Sequence, residues 1–117
     1  MDRLLRATLN TWNGLVAATR SETAFRQELA VLAAAVPVAF LIGSEKWKPL
    51  LLIAAVIFVL IIELLNTAIE KLADFITPAQ DPRIGRVKDM GSAAVALAIL
   101  VAGVVWILAL AERFAVF

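Results

Sequence analysis

LIIELLNTAIEK, residues Leu60–Lys71, is the stretch whose reading decides the fold. It follows a run that is wholly apolar from Leu50 to Ile62, then sets Glu63, Asn66 and Glu70 at spacings of three and four, with Asp74 four further on. At about 100° per residue, those four positions share one stripe of an α-helix. The apolar run predicts a membrane-crossing helix, and the stripe predicts one carrying polar work. An ionised carboxylate at bilayer depth costs roughly 2.5–3.5 kcal/mol even on a lenient insertion scale, so an acid kept there reads as functional. The bland alternative is a solvated helix end, which suits Glu70 and Asp74 better than Glu63.

Working outward, the composition agrees with a membrane protein. Of 117 residues 62% are hydrophobic, the formal net charge is +1, and Cys, His and Tyr are absent. Such a chain is one domain, residues 1–117, and too apolar for a soluble globule of this size. The near-neutral charge argues against a nucleic-acid partner. Without Cys or His, thiol catalysis, disulfides, zinc fingers and imidazole bases are excluded. Chemistry at neutral pH then falls to carboxylates, Lys, Arg, hydroxyls and a hard cation. No cleavable signal peptide is expected, because the first long apolar run starts only at Leu29, behind a charged segment.

Residues 1–28 predict an amphipathic surface helix. Leu4, Leu5, Leu9, Trp12, Leu15 and Val16 recur at helical spacing, opposite Arg3, Arg6, Asn10, Asn13 and Arg20. Ser21 predicts the N-cap of a new helix, and Glu22 and Arg26 at i,i+4 predict a local ion pair. The first span is expected at about 29–47, its uncharged part running from Leu29 to Ser44 with a kink at Pro37. Gly43 to Pro49 predicts a turn with Trp47 at the interface. The second span is expected at 50–76. With about 20 residues crossing the hydrocarbon from Leu50, Glu63 lies about 9 Å inside its far face, while Glu70 and Asp74 reach the interface. Pro78, Pro82 and Gly85 predict a polar loop over Thr77 to Asp89, and the third span is expected at 90–111. That span opens with Gly91, Ser92, Ala93 and Ala94, small residues that let helices approach closely.

Arg3, Arg6, Arg20 and Arg26, with Lys71, Arg83, Arg86 and Lys88, outnumber Lys46, Lys48 and Arg113 on the other side. The positive-inside rule therefore puts the N-terminus, the second-to-third connection and the acidic stripe at the cytoplasmic face. Carboxylates there suit Mg²⁺ bridging a nucleotide phosphate, with Lys and Arg neutralising phosphate charge. A deeper, partly desolvated carboxylate suits proton abstraction from an alcohol held in the lipid layer. Phosphoryl transfer to an amphipathic acceptor fits, and a proton- or cation-coupled carrier fits almost as well. A purely structural membrane oligomer gives Glu63 no task. Neither a GxxxxGK[ST] loop nor a kinase Gly-rich loop is present.

Three strings carry a resemblance that chooses among these: ETAFRQE (Glu22–Glu28), IELLNTAIEKLAD (Ile62–Asp74) and GRVKDMGSAAV (Gly85–Val95). Together they resemble the bacterial integral-membrane diacylglycerol kinase family over nearly the whole chain, including its size and three-span layout. The Lys-Asp-Met-Gly-Ser form is more similar to the diacylglycerol-using branch than to the undecaprenol kinase branch. The resemblance implies an all-α homotrimeric bundle in the bacterial cytoplasmic (inner) membrane, with sites shared between subunits. It implies phosphorylation of diacylglycerol to phosphatidic acid with Mg²⁺ and ATP. Glu63 stands at the family's catalytic base, and Glu22 and Glu70 at the magnesium ligands facing the nucleotide. Lys88, Asp89 and Arg3 match nucleotide contacts, and Asn10 stands where the best-known members place a tyrosine near the nucleotide. Ala24, Phe25, Arg26, Gln27 and Glu28 fall in a lipid-substrate region, together with Glu63, Asn66 and Ser92. Ala79 to Asp81 match nucleotide contacts by position.

Overall fold

The computed structural model describes residues 2–43 and 45–114. Met1, Ser44 and residues 115–117, which the expected surface helix, first span and single domain include, lie outside the described residues. Among the described residues the chain is all α-helical without strands: α1 Asp2–Ser21, α2 Thr23–Ile42, α3 Lys48–Ile76 and α4 Pro82–Arg113. α2, α3 and α4 are each long and apolar enough to cross a bilayer.

α1 passes into α2 at Glu22, whose backbone is extended (φ −117°, ψ 112°). The expected Ser21 cap does not form, because the Ser21 hydroxyl donates back to the Ala17 carbonyl at 2.8 Å. Nor does Arg26 pair with Glu22. Its guanidinium donates to the Thr19 and Arg20 carbonyls, each at 3.0 Å, and to Thr23 Oγ1 at 3.1 Å. Those carbonyls end α1 and have no partner inside it, so Arg26 serves as a remote C-cap and Glu22 is released for other contacts.

α2 continues through Pro37 and ends at Gly43. A Cβ at Gly43 would stand 2.7 Å from Pro49 Cδ, so the turn into α3 closes only over glycine. Pro49 lies in the first turn of α3, where its missing N–H costs no bond. The expected loop over 77–89 shortens to 77–81, because Pro82 starts a helix here instead of breaking one. Asp81 caps it, its carboxylate accepting from the Arg83 N–H at 2.8 Å. Lys88, Asp89 and Ser92 therefore sit on one continuous helix.

α3 lies between α2 and α4, packing on both. The joints are made largely of small side chains: Ala35 and Ala39 on α2, Ala55 and Ala73 on α3, Gly91, Ala98 and Ala102 on α4 are all buried. Close backbone approach supplies dispersion contact where lipid supplies no hydrophobic drive. At the end near α1, Ala18, Phe25 and Leu60 form a buried cluster tying three helices together. The molecule measures 52 × 42 × 22 Å, so it is about two helix diameters thick and cannot enclose its large apolar residues. Leu4, Leu5, Leu9 and Trp12 on α1 are exposed, as are Ile57, Ile61, Leu65 and Leu72 along one side of α3.

Candidate functional site

The α3 stripe forms as its spacing requires, and exposure grades along it. Glu63 is half-buried, Asn66 is 9% exposed, and Glu70 and Asp74 are exposed. Opposite this stripe stand two more acids, Glu22 at the α1–α2 joint and Glu28 on α2. Glu28 is half-buried within electrostatic range of Glu63, and its Oε2 is buried without a hydrogen-bond partner. Glu63 also feels the charges of Glu70 and Glu22.

Two lysines meet this acidic seam at its rim. Lys71 Nζ lies 3.3 Å from Glu22 Oε1, and Lys88 Nζ lies 2.6 Å from Asp74 Oδ1. Glu28, Glu63 and Glu70 make no ion pair among the described residues. Like charges gathered in a partly desolvated seam raise its free energy, and an added cation or proton relieves it. The seam is thus built to receive positive charge.

Among the described residues no three acids converge into a ready metal cage. Magnesium does not need one: it keeps several waters and is held through one or two carboxylates plus phosphate oxygens. Glu22 and Glu70 offer hard oxygen donors of that kind, and Glu22 would exchange Lys71 for the ion. The residues present therefore fit such a metal.

The connection after α3 adds a second surface. Thr77, Ala79, Asp81, Ile84, Gly85 and Lys88 line a cavity of about 530 Å³. Here Arg83 holds Asp81 on two sides, its Nη2 3.0 Å from Oδ2 and its Nε 3.3 Å from Oδ1. Those side-chain bonds, then the backbone bond to Asp81, hold this carboxyl below the usual aspartate range. An apolar groove of about 550 Å³ runs from Glu28 between α2, α3 and α4, past Val31, Val38, Val59, Ile99 and Trp106.

Other expected positions are placed less centrally. Asp89 and Ser92 are exposed on α4 beyond Lys88. Arg3 and Asn10 are exposed on α1, and the structure gives them no bond to the seam. In the ETAFRQE string, Ala24 and Gln27 are exposed, Phe25 is buried in the core cluster, and Arg26 caps α1. Sequence reasoning missed the pairing of Glu22 with Lys71 and the approach of Glu28 to Glu63. No signal within either helix marks them, since both depend on how α2 and α3 register against each other.

The family model described as prokaryotic diacylglycerol kinase matches residues 9–110. The chain is 42% identical over 112 residues to the diacylglycerol kinase of Escherichia coli (strain K12), covering 96% of this chain and 92% of that one. It is 41% identical over 106 residues to the diacylglycerol kinase of Pseudomonas aeruginosa, covering 91% and 86%. The diacylglycerol kinase of Haemophilus influenzae is 37% identical over 106 residues, covering 91% and 90%.

Proposed function

The chain belongs to the prokaryotic diacylglycerol kinase family, and on that premise we propose that it transfers the γ-phosphoryl group of ATP to diacylglycerol, giving phosphatidic acid at the cytoplasmic face of the inner membrane. The observation that carries this reading is the graded seam on α3. A recessed Glu63 lies two turns from an exposed Glu70, with Glu22 at the α1–α2 joint against Lys71 and Lys88 of α4 against Asp74 at the rim. A lipid hydroxyl can approach from the apolar side and a polyphosphate from water.

In this mechanism Glu63 accepts the proton of the primary hydroxyl as that oxygen attacks the γ-phosphorus. A positioned base of this kind contributes typically 10²–10⁴-fold. Glu22 and Glu70 would hold magnesium, and Lys88 would give up Asp74 to neutralise phosphate oxygens. The chemistry such an ion would supply is to offset the charge developing on the transferred phosphoryl group. Lys88, Asp89, Arg3 and the position of Asn10 face the nucleotide, with residues 79–81 supplying the wall beyond. Glu28, Asn66 and Ser92, with the Ala24–Gln27 segment, face the glycerol end of the lipid, whose chains lie along the apolar groove.

α1 then rests on the bilayer surface, apolar side down, as residues 1–28 of one membrane domain. Three copies pack together, because a single 22 Å thick layer leaves the seam open to lipid on one side. The N-terminus and residues 77–81 are cytoplasmic, following the Lys and Arg balance.

The test uses purified full-length protein in mixed micelles with labelled ATP, magnesium and competing lipids. Label on diacylglycerol is the expected result. Label on undecaprenol alone would change the acceptor, and cation movement into sealed vesicles without ATP consumption would replace the kinase by a carrier. Chelating magnesium should stop transfer, and readdition should restore it.

A further inference from the structure

Gly91 is the one glycine buried inside α4, and what it touches is the amide of Asn66. A Cβ built at Gly91 would collide with Asn66 Oδ1 and stand 3.2 Å from Asn66 Cγ. That oxygen is buried and accepts no hydrogen bond from the described residues, and the residue is 9% exposed. An orphaned amide oxygen is costly, so this orientation needs a reason.

The contact supplies one. Glycine has a second Cα hydrogen where any other residue has Cβ, and Cα–H groups are weak donors that a carbonyl can face. The amide's two N–H groups could not face a C–H surface without losing both bonds. With Oδ1 against Gly91, Nδ2 is turned away from α4. Asn66 stands between Glu63, one turn before it, and Glu70, one turn after it, so its donors are left for that stripe. A glycine inside a helix is otherwise a liability relative to alanine.

We infer that Gly91 is a positioning residue: it seats the Asn66 carbonyl so that the Asn66 NH₂ is presented beside Glu63 to the oxygen of the acceptor lipid. This rests on the lipid kinase reading of the seam. Gly91 touches no reacting atom; it acts through Asn66 alone. Any side chain at position 91 turns the amide or pushes α4 off α3.

The experiment is a double-mutant cycle on lipid phosphorylation, with a spectroscopic readout that does not need turnover. Gly91→Ala should lower kcat at least tenfold with KM for ATP changed less than twofold. In an Asn66→Ala background, the same substitution should cost less than a further twofold, because no amide remains to displace. Equal losses in both backgrounds, with a matching fall in thermal stability, would make Gly91 a plain packing residue and overturn the inference. In ¹⁵N-labelled protein in micelles, Gly91→Ala should move the Asn66 side-chain NH₂ resonances while Ser92→Ala leaves them in place. Unmoved resonances in Gly91→Ala would overturn the inference too. Absence of any phosphorylated lipid from the unsubstituted protein would instead remove the kinase reading, and the resonance shift would still decide the Gly91 contact.

Discussion

Two helical turns separate Glu63 from Glu70, about 10 Å along one helix, and that distance sorts their work. The half-buried acid is the one proposed as base, and the exposed one the one proposed for a hydrated ion. Glu63→Gln keeps the shape and removes the base, so turnover should fall by about 10²–10⁴-fold while nucleotide affinity is largely spared. Steady-state rates and a nucleotide titration check both halves, and normal turnover would remove the base assignment. Asp81 makes a different prediction. Its carboxyl is depressed by Arg83, so the unfolded chain binds a proton there more readily than the folded one. Its contribution is complete above the ordinary aspartate pKa and drains away as pH falls through the depressed folded value. Amide protection in the first turn of α4, taken relative to the intrinsic exchange rate at each pH, should therefore hold through the mildly acidic range and fall only below the ordinary aspartate value. Protection that is already lost near neutrality would contradict this. Much of this scale was legible beforehand, because spacing on a single helix fixes Glu63, Asn66, Glu70 and Asp74. The partners Lys71 and Glu28 were not, because they depend on contact between helices.

At the scale of elements, α3 and α4 are fastened far from the seam. Lys48 pairs with Glu112 at the opposite end, and Trp106 Nε1 donates to the Leu52 carbonyl at 3.0 Å. Lys48 is 23% exposed, between a surface pair worth little and a buried pair whose breaking costs 3–5 kcal/mol. Glu112→Leu alone should cost about 1–3 kcal/mol, because it leaves the half-buried lysine only the exposed Glu45 at 3.8 Å. Adding Lys48→Met should recover most of that. Denaturant unfolding in micelles measures the cycle, and additive losses would show that the pair is decorative. Helix ends were the part of the fold least legible in sequence. Pro82 was read as the breaker that prolongs a loop, whereas with Asp81 before it the same residue starts α4. Arg26 was read as a partner for Glu22, whereas the open carbonyls of α1 claimed it first.

For the whole molecule, the relevant fact is thinness. A layer 22 Å deep leaves Ile57, Ile61, Leu65 and Leu72 exposed along α3. Lipid satisfies that side chain by chain, but a half-buried acid a turn away calls for protein cover. The detergent-corrected mass in micelles should be three times that of one chain, and a protomer-sized particle with full activity would dismiss the assembly. Three-span architecture was legible because apolar length and charge placement are local properties. Which faces meet was not, because small residues line nearly every side of α4.

The Glu22–Lys71 contact has a consequence for motion. α3 and α4 are joined by chain at one end and by Lys48–Glu112 at the other, a frame closed at both ends. α2 is joined to that frame by chain only at the Gly43 end, and at the other it is held by the buried Ala18–Phe25–Leu60 cluster and, among the described residues, by the Glu22–Lys71 ion pair at its rim, with Lys71 60% exposed. Turned at Gly43 and packed at its far end, α2 carries its polar fastening beside the acids of α3. Glu22 is also the carboxylate proposed for magnesium, so metal loading would undo the polar fastening and leave the apolar cluster to keep α2 in place.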